Sequence, residues 1–283
     1  MNYRHAFHAG NFADVVKHVA LVLLLLSLQR KDKPYCYVDT HAGAGIYDLE
    51  SEAAARTGEF KGGIERIWGL QDSGMPGIGE YLNLIARLNG DPRRGRPPRY
   101  YPGSPWIARA LARPQDRMEL WERHPDETRV LLEHMGDQSG VALHGGDGHQ
   151  SVRAALPPRE RRGLVFIDPP YESGEEWELV LDYLGRAYRR WRNGIYAVWY
   201  PIKEESAVAH LHKRLQAGSI RNVLAAEVRT TPAGHPMGLY GSGLILVNPP
   251  WQFDTMFARS QAALAKLLAP RFGTCRVDWL VPE

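Results

Sequence analysis

Ten residues near the middle of the chain, Gly163-Leu-Val-Phe-Ile-Asp-Pro-Pro-Tyr-Glu172, limit the possible folds more than any other stretch. A glycine followed by four apolar residues shows neither polar alternation nor helical spacing, which predicts a strand buried on both faces, as in a parallel sheet. Pro169 and Pro170 cannot donate to a ladder, so the strand must stop at Asp168 and leave its carboxyl end as a rim. The pattern predicts an α/β fold with a polar tip where ligands of such sheets bind.

The tip suits attack by an amino group conjugated to a ring, such as N6 of adenine. That nitrogen is a poor nucleophile until acceptors hold its N–H bonds. Asp168 can supply one acceptor and the carbonyl of Pro169 a second, while Tyr171 is expected to offer a flat face to an unstacked base. The same residues could instead be a plain Pro-rich turn over a buried tyrosine.

A chain of 283 residues with 44% apolar content can build a sizeable core. Its formal charge of +3 permits a nucleic-acid partner without requiring one. Arginines cluster at Arg93, Arg94, Arg96 and Arg99 and again at Arg186, Arg189, Arg190 and Arg192, although such runs commonly form solvated faces. Cys36 and Cys275 each sit in an apolar run, which points to reduced thiols and a cytoplasmic protein. The apolar run Val19–Leu28 is too short to span a bilayer and lacks signal-peptide features, so a buried helix is expected there.

Along the chain, Met1–Gly10 is unusually aromatic and basic, and Asn11 or Asp14 can cap the helix that follows. No His/Cys ligand spacing supports a metal. Pro34–Asp39 reads as the first strand and Thr40-His-Ala-Gly-Ala-Gly45 as the glycine-rich turn at its end. Asp48 occupies the place of the third glycine in the dinucleotide fingerprint. That disfavours a nicotinamide cofactor and an oxidoreductase, whereas D-x-x-x-G-x-G fits S-adenosylmethionine. Residues 47–99, with helices near Ala53–Trp68 and Gly79–Leu88, read as a small inserted helical subdomain between core segments 1–46 and 100–283.

Ser104 is expected to cap a helix whose first residue is Pro105, and the free N–H groups there could take a carboxylate. Glu122 closes the second strand, where an acid commonly takes ribose hydroxyls. Asp147, in the turn after strand Val141–His144, could accept from the amino group of the cofactor's adenine or simply form an Asp-Gly turn. Further strands at Gly194–Trp199, Val223–Arg229 and Gly243–Val247 bring the sheet to seven, mostly parallel, with one of the last two antiparallel. This is the Rossmann-like sheet of a class I methyltransferase. A helix at Phe253–Leu268 and a short strand at Cys275–Leu280 follow it. Asn248-Pro-Pro-Trp251 also has the form of an amino-methylating tip, but it ends the last core strand about two hundred residues after Gly45, the wrong place relative to the cofactor turn.

The segments H-A-G-N-x-A-D-V-x-K-H (8–18), D-T-H-A-G-A-G (39–45), Y-Y-P-G-S-P (100–105) and I-D-P-P-Y-E (167–172) occur together in this chain. With A-V-W-Y-P at 197–201 and the terminal W-L-V-P-E, they make it resemble, over essentially its whole length, the bacterial 23S ribosomal RNA adenine-N6 methyltransferases of the RlmJ family. The resemblance implies an S-adenosylmethionine site at His18, His41, Ser104, Glu122, Asp147, Gly148 and Asp168. It makes Asp168 the catalytic acceptor for the amine proton and gives Tyr3, with Pro169 and Tyr171, a part in holding the RNA. The expected partner is 23S ribosomal RNA, with no metal, no membrane and a monomeric enzyme. A DNA adenine methyltransferase would share the tip, and a non-catalytic RNA-binding or ribosome-assembly protein could share the fold.

Overall fold

The computed structural model describes residues 4–70, 74–90, 96–232 and 238–283. Tyr3, Arg93 and Arg94 therefore lie outside the described residues.

Helix α1 (Phe12–Gln29) begins where the Asn11 side chain accepts the backbone N–H of Asp14 at 2.9 Å. It is long and apolar enough to cross a membrane, yet 83% of it is buried inside the protein, where it forms the centre of the larger apolar cluster. Strand β1 (Cys36–Asp39) follows, with all four residues buried.

Strands β2 (Ile46–Asp48) and β3 (Tyr100–Pro102) pair antiparallel and fasten the two ends of the segment between them. That segment holds α2 (Glu52–Thr57), α3 (Ile64–Ile67) and α4 (Ile78–Asn89). The single helix expected over Ala53–Trp68 is broken because Gly58 adopts φ +61° as a left-handed C-cap, its N–H donating to Ala54 O. Ile64, Ile67, Ile78, Tyr81 and Leu82 are fully buried in the same cluster as α1, so this segment shares the main core.

The chain re-enters the main body at α5 (Ser104–Leu111), then forms β4 (Arg117–Glu122), α6 (Pro125–Met135), β5 (Val141–Gly145) and the short α7 (Ser151–Ala154). Strand β6 (Gly163–Ile167) is buried at every residue, as its unbroken apolar run requires, and lies parallel to β1 on one side and β7 (Ile195–Ile202) on the other. Helix α8 (Glu176–Arg190) links β6 to β7. The rest is α9 (Glu205–Ala217), β8 (Val223–Arg229), β9 (Gly241–Val247), α10 (Phe253–Leu268) and β10 (Thr274–Val281).

The strand order is β10-β8-β9-β7-β6-β1-β4-β5, giving eight strands where seven were expected. The additional strand is β10, which pairs antiparallel with β8 and satisfies an edge that would otherwise present unpaired backbone groups. Strand β9 is antiparallel to both β7 and β8. Its reversal decides the fate of the second candidate tip. Val247 pairs with Tyr196 near the start of β7, so Asn248 lies at the end of the sheet opposite Asp168. There the Asn248 side chain donates to the carbonyls of Arg192 (2.7 Å) and Gly194 (2.8 Å), a structural turn remote from the rim.

Candidate active site

A cavity of about 880 Å³ opens over the carboxyl ends of β1, β4, β6 and β7. Its lining includes His18, His41, Ser104, Glu122, Asp147 and Gly148, with Asp168 and Pro169 beside them.

On one side lies the glycine-rich turn. Gly43 takes φ +62°, and a Cβ there would stand 2.2 Å from the Tyr47 hydroxyl, so only glycine fits without rearrangement. Its N–H donates to Glu122 Oε2 at 2.8 Å, while Oε1 accepts from the N–H of His124 at 2.7 Å. These bonds hold the acid at the end of β4 against the turn. Asp39 at the end of β1 is fully buried. Burial raises its carboxyl to about 6, against hydrogen bonds from the Tyr37 hydroxyl and the Ser104 hydroxyl, both at 2.7 Å, and the N–H of His41.

Ser104 is not the helix cap that the sequence suggested. Gly103 occupies the N-cap, Ser104 is the first helical residue, and its hydroxyl is committed to Asp39 because an isolated buried carboxylate needs donors.

His41 donates or accepts at Nδ1 with Thr40 Oγ1 at 2.8 Å, and His18 makes the same kind of bond with the Tyr101 hydroxyl at 2.7 Å. Burial lowers both imidazoles to about 3, so both are neutral at physiological pH. Because the folded His18 resists protonation, its contribution to stability is complete above the unfolded value of about 6.5 and is lost as pH falls from there toward 3. Urea midpoints measured between pH 7 and 4 should therefore fall, with His18 accounting for about 1.4 kcal/mol per pH unit. A His18→Asn chain showing the same slope would contradict this.

Asp147 follows β5, and its Oδ1 accepts the N–H of His149 at 3.0 Å. Its side chain remains 46% exposed. Gly148 packs against the first strand's loop so tightly that a Cβ would lie 2.0 Å from the Thr40 carbonyl oxygen. Gly148→Ala should push Asp147 and His41 apart and weaken cofactor binding by at least about tenfold, by analogy with the usual cost of overpacking. Calorimetric titration with S-adenosylmethionine measures this, and an unchanged affinity would show that the turn can yield.

At the tip of β6 the structure adds what the sequence did not reveal. Lys17, 5% exposed on the second turn of α1, places Nζ 2.6 Å from Asp168 Oδ2 and 2.7 Å from Asp14 Oδ1. The ammonium also lies 5.4 Å from the centre of the Trp199 ring. Asp14 in turn accepts from the N–H of Gly10 and pairs with His5 Nε2, each at 2.9 Å. Burial by itself would raise the Asp14 carboxyl, but His5 and Lys17 hold it well below the usual carboxylate range. The available signal was an acid and a lysine three residues apart in an otherwise apolar helix.

Tyr171 departs from expectation. At φ +50° its side chain turns inward, 8% exposed, with the hydroxyl donating to the Trp199 carbonyl at 2.9 Å and the ring 4.7 Å from that of Trp177. It supports the wall from behind, and Trp199 rather than Tyr171 presents its ring to the cavity on this side. Two further acids line the cavity with one buried oxygen unpartnered among the described residues, Glu127 Oε2 and Glu176 Oε2. Among the described residues no group of three or more His, Cys, Asp or Glu side chains is placed to hold a metal ion.

The acceptors Glu122 and Asp147 at successive strand ends, the uncommitted oxygen of Glu127 and two neutral imidazoles fit a ligand rich in hydroxyl, amino and cationic groups, as S-adenosylmethionine is.

Residues 32–281 match the family model described as ribosomal RNA large subunit methyltransferase D, RlmJ. The chain is 41% identical over 285 residues to the ribosomal RNA large subunit methyltransferase J of Haemophilus influenzae, and 42% identical over 284 residues to that of Escherichia coli, covering all of each protein. A crystal structure of a Legionella pneumophila protein superposes with a TM-score of 0.86 at 35% identity, covering 96% of this chain and 98% of that one. The chain thus belongs to the RlmJ family of large-subunit ribosomal RNA methyltransferases, and it transfers methyl groups from S-adenosylmethionine to ribosomal RNA.

Proposed function

We propose that the enzyme methylates N6 of one unstacked adenine in 23S ribosomal RNA. The observation that carries this reading is the carboxylate of Asp168, held at the rim of β6 by Lys17 and facing the same cavity as Pro169 and Trp199. When bound, S-adenosylmethionine supplies the methyl group on a sulfonium. The other contributions come from the chain.

Glu122, Asp147, Gly148 and His41 form the cofactor side of the cavity, with His18 and Ser104 completing it. Lys17 engages Oδ2 of Asp168, which leaves Oδ1 to accept one N–H of the adenine amine, while the Pro169 carbonyl accepts the other. The two bonds aim the nitrogen lone pair along the direction of transfer, and most of the acceleration comes from this positioning. As the nitrogen bonds to carbon its proton becomes strongly acidic and passes to Asp168 Oδ1. Trp199 provides the aromatic surface for the displaced base, backed by Tyr171. Exposed Arg123 and Lys203 on the cavity lining suit the phosphates beside it.

The unpaired thiols of Cys36 and Cys275 suit a reducing compartment such as the cytoplasm. Tyr3, outside the described residues, keeps its proposed part in handling RNA. The test is methylation of deproteinised 23S rRNA and of duplex DNA oligonucleotides, with mass-spectrometric identification of the modified nucleoside. N6-methyladenosine in the RNA is the expected product. Modification of another atom, or preference for the duplex DNA, would overturn the reading.

A further inference from the structure

Glu176 is the first residue of α8, five residues after Tyr171. It lines the cavity on the side of Pro169, Trp199 and Lys203, across β6 from Glu122 and Asp147. Its Oε2 is buried and has no hydrogen-bond partner among the described residues. Lys203 is close enough for its charge to be felt there, yet forms no ion pair with Glu176 among the described residues. Burial raises the Glu176 carboxyl above its usual range, and the charge of Glu172 adds to this, against backbone N–H groups of Glu172 and Ser173 and the charge of Lys203. A buried carboxylate oxygen in this state lacks a donor.

If the acceptor is an adenosine within an RNA chain, as proposed above, it carries hydrogen-bond donors at only two places, the N6 amine and the ribose 2′-hydroxyl. Asp168 and Pro169 take up the amine. We infer that the carboxylate of Glu176, whose side chain lines the cavity and turns about its own torsions to reach a donor, accepts the 2′-hydroxyl of the target nucleotide, making Glu176 the residue by which this site selects RNA over DNA. The D-P-P-Y tip does not supply that selection, because a flipped deoxyadenosine would present the same base.

The experiment uses the full chain and a synthetic RNA hairpin spanning the adenine that the wild-type enzyme modifies in 23S rRNA. A second hairpin differs only by 2′-deoxyadenosine at that position. The wild type should prefer the ribo form in kcat/KM by roughly 10- to 100-fold, the effect of a hydrogen bond to a charged acceptor. Glu176→Ala should lose activity on the ribo hairpin but little on the deoxy hairpin, so that the ratio collapses toward one. Glu176→Gln, whose carbonyl can still accept, should retain an intermediate ratio. Calorimetric affinity for S-adenosylmethionine checks that each variant is folded, and the near-isosteric Gln variant carries the comparison if the Ala chain fails that check.

A wild type indifferent to the 2′-hydroxyl, or variants that discriminate as the wild type does, would overturn the inference. So would equal losses on both hairpins. A wild type that places no methyl group on any adenine N6 of 23S rRNA is a separate outcome: it would defeat the adenine-N6 reading itself, and this inference with it.

Discussion

Asp168→Ala is expected to reduce methyl transfer by at least about 10²–10³-fold, the usual effect of removing one positioned group that faces developing charge. The loss should appear in kcat under saturating RNA and cofactor. Two features support so large an effect. Asp168 is the one acid at the carboxyl end of the central β6 strand, and its Oδ2 is already engaged by Lys17, so its free oxygen has a single orientation. Asn248→Ala is the matched control. Its side chain stabilises a turn at the opposite end of the sheet, so activity should remain near the wild-type level. If the two variants behaved the other way round, the second proline-rich tip would be the reacting one.

Lys17→Met should produce the largest loss of stability of any single change near the site. The ammonium is 5% exposed and lies between Asp14, 2% exposed, and Asp168, 14% exposed. Removing it leaves two carboxylates facing each other's field with little water, a situation that costs about 3–5 kcal/mol. For a chain of this size that corresponds to a melting temperature lower by roughly 5–8 °C. Thermal denaturation followed by circular dichroism measures it, and a variant as stable as the wild type would mean that solvent reaches the pair. Activity should fall as well, because Asp168 loses the contact that orients it.

Much of this enzyme was legible as a linear pattern. Buried parallel strands such as Leu164–Ile167 leave unbroken apolar runs, and each ends where a proline, glycine or acid interrupts the ladder. The turn at Gly43 and Gly45 is equally visible, since positive φ at both positions selects glycine. Local signals were less secure where two outcomes differ by a residue or a rotamer. Ser104 and Gly103 compete for one cap, and Tyr171 could point outward or inward after Pro170. The inward rotamer is preferred because the core between Trp177 and Trp199 accepts a ring and the Trp199 carbonyl accepts the hydroxyl proton.

By itself the sequence determined the α/β class, the rim where Asp168 sits and the family to which the chain belongs. The class and the rim follow from short-range constraints, namely burial on both strand faces, missing proline donors and glycine dihedrals, whereas the family follows from the resemblance of whole segments such as 39–45 and 167–172. Only the tertiary structure decided that Lys17 grips Asp168 across 151 positions of sequence, that β9 carries Asn248 to the far end of the sheet, and that Glu127 and Glu176 line the cavity, each with one oxygen unpaired among the described residues. Charge pairing and burial depend on which elements pack together, and no local pattern along the chain encodes that.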